Sequence, residues 1–117
     1  MLTRDQILKA KDIPMEKVSV PEWGGEVMVK GLSGKERDWF ELSVFEQKGR
    51  NQKVNMANLR AKLASLSICD EEGNRLFSED DVEELAKKSA VALQRVFSIA
   101  QRLSGLSNEE AEILAKN

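Results

Sequence analysis

The stretch MEKVSVPEWGGEVMVK, residues 15–30, alternates twice around a turn. Val18 and Val20 are two apart, and so are Val27 and Val29, the spacing that puts both members of each pair on one face of a strand. Between the runs lies Pro21-Glu22-Trp23-Gly24-Gly25, proline and glycine chemistry that reverses a chain. Two alternating runs joined by a short glycine-bearing loop predict an N-terminal β-hairpin in a subregion 13–32. Val27 and Val29 should face inward and Met28 outward. Trp23 sits on the turn, where water should reach it. The competing reading folds it back onto its own sheet, because tryptophans are mostly buried.

Working outward, Thr3 can cap a helix over 4–11, and Asp12-Ile13-Pro14 should end it, since the residue before proline avoids the helical region. After the hairpin, Ser33 caps a predicted helix over 34–48, with Gly49 placed to stop it. Asn55 opens a helix over 55–66 that carries Met56, Leu59, Leu63 and Leu66 at intervals of three and four. Residues 67–77 suggest a second small hairpin around Asp70-Glu71-Glu72-Gly73-Asn74. Ser78 and Asp81 approximate a capping box. From Val82 the apolar stripe Leu85, Leu93, Val96, Ala100 and Leu103 keeps phase at 100° per residue, which predicts one nearly straight helix over 79–103 ended by Gly105. Ser107 and Glu110 open a last helix over 107–115. The expected fold is α+β and mostly helical, one domain over 1–117 with a helical subregion 33–117.

Several function classes lose support at once. The net charge is −2 and the pI near 5.3, which argues against nucleic acid as the main partner, since phosphate binding needs clustered cations. Lys48, Arg50, Lys53 and Arg60 are the best candidates for a local basic patch. There is one cysteine, Cys69, and no histidine. An internal disulfide, a Cys/His metal site and a histidine-assisted nucleophile are therefore all without their parts. Cys69 reads as a small buried apolar side chain in a strand. No cofactor and no metal is expected, and no enzyme. No apolar run approaches the length of a membrane span or a signal peptide core, so no membrane partner and a cytosolic location are expected.

Two motifs look chemical and fail on spacing. Gly31-Leu-Ser-Gly34-Lys35-Glu36 sits between strand and helix, as a phosphate loop would, but has two residues between its glycines where four are needed, and Glu36 where a hydroxyl should bind magnesium. Asp70, Glu72 and Asn74 alternate like the start of a calcium loop, with Arg75 at the sixth place, where glycine is required for the sharp turn. Both read as turns.

The helix at 34–48 is unusual. Trp39, Phe40, Leu42, Val44 and Phe45 spread around most of its circumference. Either the helix is wedged between two layers of its own domain or it faces a partner.

The order of these pieces resembles a known family. DIPMEKVSVPEWGGEVMVKGLSGKERDWFE is similar to the N-terminal half of tail assembly chaperones of long-tailed, siphovirus-type bacteriophages and prophages. LRAKLASLSICDEEGNRLFSEDDVEEL resembles that family's middle segment, and QRLSGLSNEEAEILAKN its tail. The resemblance implies a non-enzymatic protein that binds the tape measure protein, keeps its long hydrophobic helix soluble and recruits tail tube protein subunits. It implies action in the host cytoplasm and absence from the mature virion. It also implies a longer second product made by programmed frameshift, with which the closing Lys116-Asn117 is compatible. On this reading Trp23, Trp39, Phe40, Leu42, Val44 and Phe45 contribute to a surface for client helices or for self-association. The alternatives are a structural virion component, such as a head–tail connector or minor tail protein, and a small cellular adaptor.

Overall fold

The computed structural model describes residues 1–48, 51–54 and 58–106, and for 45–48 and 51–54 the backbone alone. In chain order come α1 (Arg4–Lys9), β1 (Met15–Val20), β2 (Gly25–Lys30), α2 (Gly34–Val44), β3 (Phe45–Lys48), β4 (Asn51–Val54), α3 (Leu59–Ser67), β5 (Ile68–Cys69), α4 (Val82–Ala86) and α5 (Ala90–Leu103). The architecture is α+β, with the N-terminal hairpin followed by helices.

The hairpin forms in the expected register, Val18 opposite Val27 and Val20 opposite Gly25, with a single 3-10 turn at Pro21–Trp23. Val18, Val20 and Val29 are buried. Met28, expected outward, is half-buried, because β5 joins the hairpin and sets Cys69 opposite it in the order β1-β2-β5. Cys69 is buried, as its sequence context suggested, with Sγ 3.9 Å from Met15 Sδ. The second hairpin is reduced to one bridge, Cys69 to Arg75, and the amide of Leu76 on the carbonyl of Ile68.

The core lies between this sheet and the helices. α3 is central: Leu59, Leu63 and Leu66 are buried, and so are the small residues Ala61, Ala64, Ser65 and Ser67 that let α2, α4 and α5 approach. An apolar surface on nearly every side is what a helix needs when neighbours cover it all round. α5 lies over both β1 and β2 and supplies Leu93, Val96 and Ala100. Its C-terminus is a Schellman motif. Leu106 donates to Gln101 and Gly105 to Arg102, with Gly105 at φ +72° and Leu106 buried.

Four helix boundaries differ from expectation. The helix expected over 79–103 is two helices, preceded by a 3-10 turn at Glu79–Asp81. Ser89 breaks it. Its backbone is extended (φ −48°, ψ 129°) and its Oγ accepts from the Ala92 amide, so Ser89 caps α5 instead of riding inside a longer helix. The apolar stripe survives the break in phase. The helix expected over 34–48 stops at Val44, where residues 45–48 pair with 51–54 as a separate two-stranded hairpin. Only two residues separate those strands, a hairpin spacing with glycine first, so the backbone groups of 45–48 find cross-strand partners in place of a helical continuation. α1 ends at Lys9 instead of 11, and α3 begins at Leu59 with Asn58 left-handed (φ 57°) at its cap. Asn55, Met56 and the helix expected over 107–115 lie outside the described residues.

Candidate protein-binding surfaces

The structure divides the six residues expected at a partner surface. Phe40 and Val44, one turn apart on α2, are buried in the core, 1% and 0% exposed. They belong to the inner layer and offer a partner nothing. Trp39 is half-buried against the core. Leu42, on the opposite side of the helix from Phe40, is 74% exposed. Trp39 and Leu42 are three positions apart, so they are neighbours on the helix surface. The Phe45 side chain lies outside the described residues.

The start of α2 shows why the phosphate-loop pattern fails chemically as well as in spacing. Ser33 Oγ accepts from the Glu36 amide at 3.2 Å, and Glu36 Oε1 accepts from the Ser33 amide at 3.0 Å, a closed capping box. Glu36 also pairs with Lys30 at 3.4 Å, both largely sequestered. Two of the amides an anion would use, those of Ser33 and Glu36, are already taken. The calcium-like turn is closed in the same way. Asp70 Oδ1 accepts from the amides of Glu72 at 2.8 Å and Asn74 at 2.9 Å. These bonds, led by Asn74's, hold the Asp70 carboxyl below the usual carboxylate range. Among the described residues no acidic, cysteine or histidine cluster could hold a metal. Burial pushes the Cys69 thiol up, away from nucleophilic use.

Trp23 takes neither sequence-derived position fully. The indole is half-buried and packs on the core, with Nε1 enclosed and without a hydrogen-bond partner. Arg95 of α5 pins the turn by gripping both carboxylate oxygens of Glu22, and this bond holds the Glu22 carboxyl below its ordinary range. One face of Trp23 forms the wall of an apolar groove of about 660 Å³ between the hairpin turn and α4. Phe77 and Leu85 line it with Trp23, and the charged residues Glu22, Asp81, Glu84, Lys87 and Lys88 complete the lining. Among the described residues no part of α2 reaches this groove. Trp23 and the α2 residues thus belong to two separate surfaces.

The sequence reading missed Phe77 and the groove. Its signal was present: Phe77 directly precedes the cap Ser78, and Val82 is the fourth helical position, the spacing of a hydrophobic staple that turns the preceding residue onto the fold. It also missed the exposed apolar side chains of the N-terminal segment. Leu2, Ile7 and Leu8 are exposed, and α1 buries none of its residues although its capping box is complete. Among the described residues no helix is long and apolar enough to cross a membrane.

Surfaces made largely of apolar side chains, with no metal-holding cluster among the described residues, suit proteins better than small molecules. Comparison with known proteins agrees. No curated protein sequence matches the chain. The tail assembly chaperone of bacteriophage HK97 has a similar solved structure, at 25% sequence identity and a TM-score of 0.60 over 89% of this chain and 95% of that one. The sequence profile of the phage tail assembly chaperone family matches residues 4–114. On this match the chain belongs to the phage tail assembly chaperones, a family whose role in tail assembly is non-enzymatic.

Proposed function

We propose that this chaperone binds the tape measure protein during tail assembly, keeps it soluble and helps bring tail tube subunits to it. It acts in the host cytoplasm, associates with further copies of itself and is absent from the finished virion. The observation that carries the client-binding part is Leu42. It stands 74% exposed beside half-buried Trp39, on a helix whose other face is locked into the core by Phe40 and Val44. An apolar pair displayed on a rigid helix can lie against an amphipathic client helix without enclosing it, and the client can later be handed on.

The test is co-expression with the tape measure protein, reading soluble client and client co-purified with the chaperone. Leu42→Asp should lower both while the chaperone stays folded. Unchanged client yield would reject α2 as the client surface. Tube recruitment is read separately, as retention of tail tube protein on the chaperone–client complex. Protein analysis of purified virions checks that the chaperone does not remain.

A further inference from the structure

α2 stops at Val44, yet the sequence carries its stop signals further on. Lys48 stands where a last-turn cation opposes the helix dipole, and Gly49 where the left-handed cap residue belongs. A helix over 34–48 is thus punctuated at both ends, by the Ser33 capping box and by Gly49. Residues 45–48 are nonetheless strand β3.

Little holds them there. β3 and β4 have four residues each and pair with one another, and among the described residues no further strand joins them. A two-stranded ribbon standing alone is at best marginally stable in water. β3 follows α2 with no residue between, so a continued helix needs no new nucleus and adds a hydrogen bond for each residue fixed. One of those bonds would run from the Gln47 amide to the Ser43 carbonyl. In the structure that carbonyl accepts from Lys62 Nζ of α3 at 3.1 Å. Lys62 thus stands in for a helical donor and favours the early stop.

The two forms place Phe45 differently. In the ribbon its Cα lies opposite that of Val54, at the root of the two strands. On a helix Trp39, Leu42 and Phe45 follow one another at intervals of three and fall within an arc of about 120°. We propose that residues 45–48 are a strand-to-helix switch driven by the client. As a client helix settles on Trp39 and Leu42, β3 leaves β4, α2 lengthens by one turn, and Phe45 completes a three-residue apolar ridge. Phe45 is the contact that differs between the two forms, and a population shift requires such a difference. The chain can follow the change. Four more helical residues add about 6 Å, and the segment 49–57 reaches several times that distance when extended. The return step, with Lys62 again on Ser43 and the ribbon re-formed, lets the client go. This proposal rests on the client-binding part of the function proposed above and gives that surface its regulation.

The test locks the ribbon. Gln47 and Gln52 are cross-strand partners, so Gln47→Cys/Gln52→Cys should close a disulfide under oxidant and open it under reductant. Denatured tape measure protein is diluted into the full-length chaperone, and soluble client is read against chaperone concentration. Reduced, the variant should match the wild type. Oxidised, it should hold client at least about tenfold more weakly, the loss of one modest hot spot. The wild type, whose one cysteine, Cys69, is buried, should not respond to oxidant. Lys62→Met frees the Ser43 carbonyl for Gln47 and should hold client severalfold more tightly. A further measurement needs no substitution. Client should slow amide exchange of the wild type over 45–48 and quicken it over 51–54, the strand left without its partner. Equal holding by the oxidised and reduced variant, no gain from Lys62→Met, or slower exchange over both strands together overturns the switch and leaves client binding standing. A wild type that keeps no client in solution overturns both.

Discussion

The backbone amide of Leu32 donates to Ser104 Oγ at 3.0 Å, joining positions 72 residues apart. This bond marks the place where the hairpin's exit meets the C-terminal end of α5. Beside it, a Cβ on Gly31 would stand 2.5 Å from the Leu103 carbonyl oxygen and 3.0 Å from its carbon. The contact is backbone against backbone, so no side chain can swing away to relieve it. Gly31 is therefore a packing glycine, and the phosphate-loop likeness of its surroundings has no bearing on it.

Gly31→Ala should destabilise the protein by about 1–3 kcal/mol, the usual range for overpacking. Ser104→Ala should cost about 1 kcal/mol, through one lost hydrogen bond. Urea denaturation of both variants measures the two effects, which should not add, because the two residues share one junction. A Gly31→Ala variant of wild-type stability would show that the end of α5 is free to move off the hairpin.

Ser89→Ala should cost about 1 kcal/mol by removing the cap of α5. The backbone break should persist, because Lys87 and Lys88 already end α4 with short-range bonds to Glu84 and Leu85. Amide exchange near Ala92 should quicken, while exchange at Val96 and Ala100 should stay slow.

This break shows what pattern reading recovers and what it loses. The positions Val82, Leu85, Leu93, Val96 and Ala100 were legible because periodicity reports which face is buried. It does not report whether the backbone is continuous, and a small serine on the stripe satisfies both accounts. The pairing of the hairpin at 15–30 was legible because alternation and turn chemistry agreed there, while the half-burial of Met28 was not, because it depends on β5. The hairpin at 45–54 was not, because Phe45 extended the apolar pattern of α2 and concealed a strand start. The candidate surface was legible in part. Trp39 and Leu42 were named, but composition could not separate them from Phe40 and Val44. That distinction belongs to α3, whose small residues allow one face of α2 to be enclosed. The Trp23 groove depends on α4 lying beside a turn some sixty residues earlier in the chain, a juxtaposition that no local pattern encodes.

Acid should weaken the fold through Asp70 and Glu22, whose folded carboxyls both titrate below their unfolded values. A depressed carboxyl stabilises the native state at pH values above the unfolded pKa and loses that contribution as pH falls through the folded one. Asp70→Asn should therefore be less stable than the wild type near neutrality, and the gap should narrow as the solution is acidified below the ordinary carboxylate range. Denaturation midpoints at a series of pH values test this. A gap that widens on acidification would contradict the turn geometry around Asp70.

The two faces of α2 should separate stability from client handling. Phe40 is enclosed, so Phe40→Ala should cost about 3–5 kcal/mol, transfer loss plus the cavity left behind. For a domain of this size that lowers the melting temperature by roughly 10 °C or more, and loss of client in this variant would report unfolding rather than contact. Leu42 faces solvent, so Leu42→Asp should change stability by no more than about 0.5 kcal/mol. Its effect on client must then arise at the surface. Trp39→Ala falls between the two, because the indole both packs on the core and borders Leu42. A chaperone that keeps its melting temperature and loses its client only when Leu42 is changed places the binding surface on the outer face of α2. Equal client losses in Phe40→Ala and Leu42→Asp, with equal falls in melting temperature, would mean that α2 acts through the fold alone.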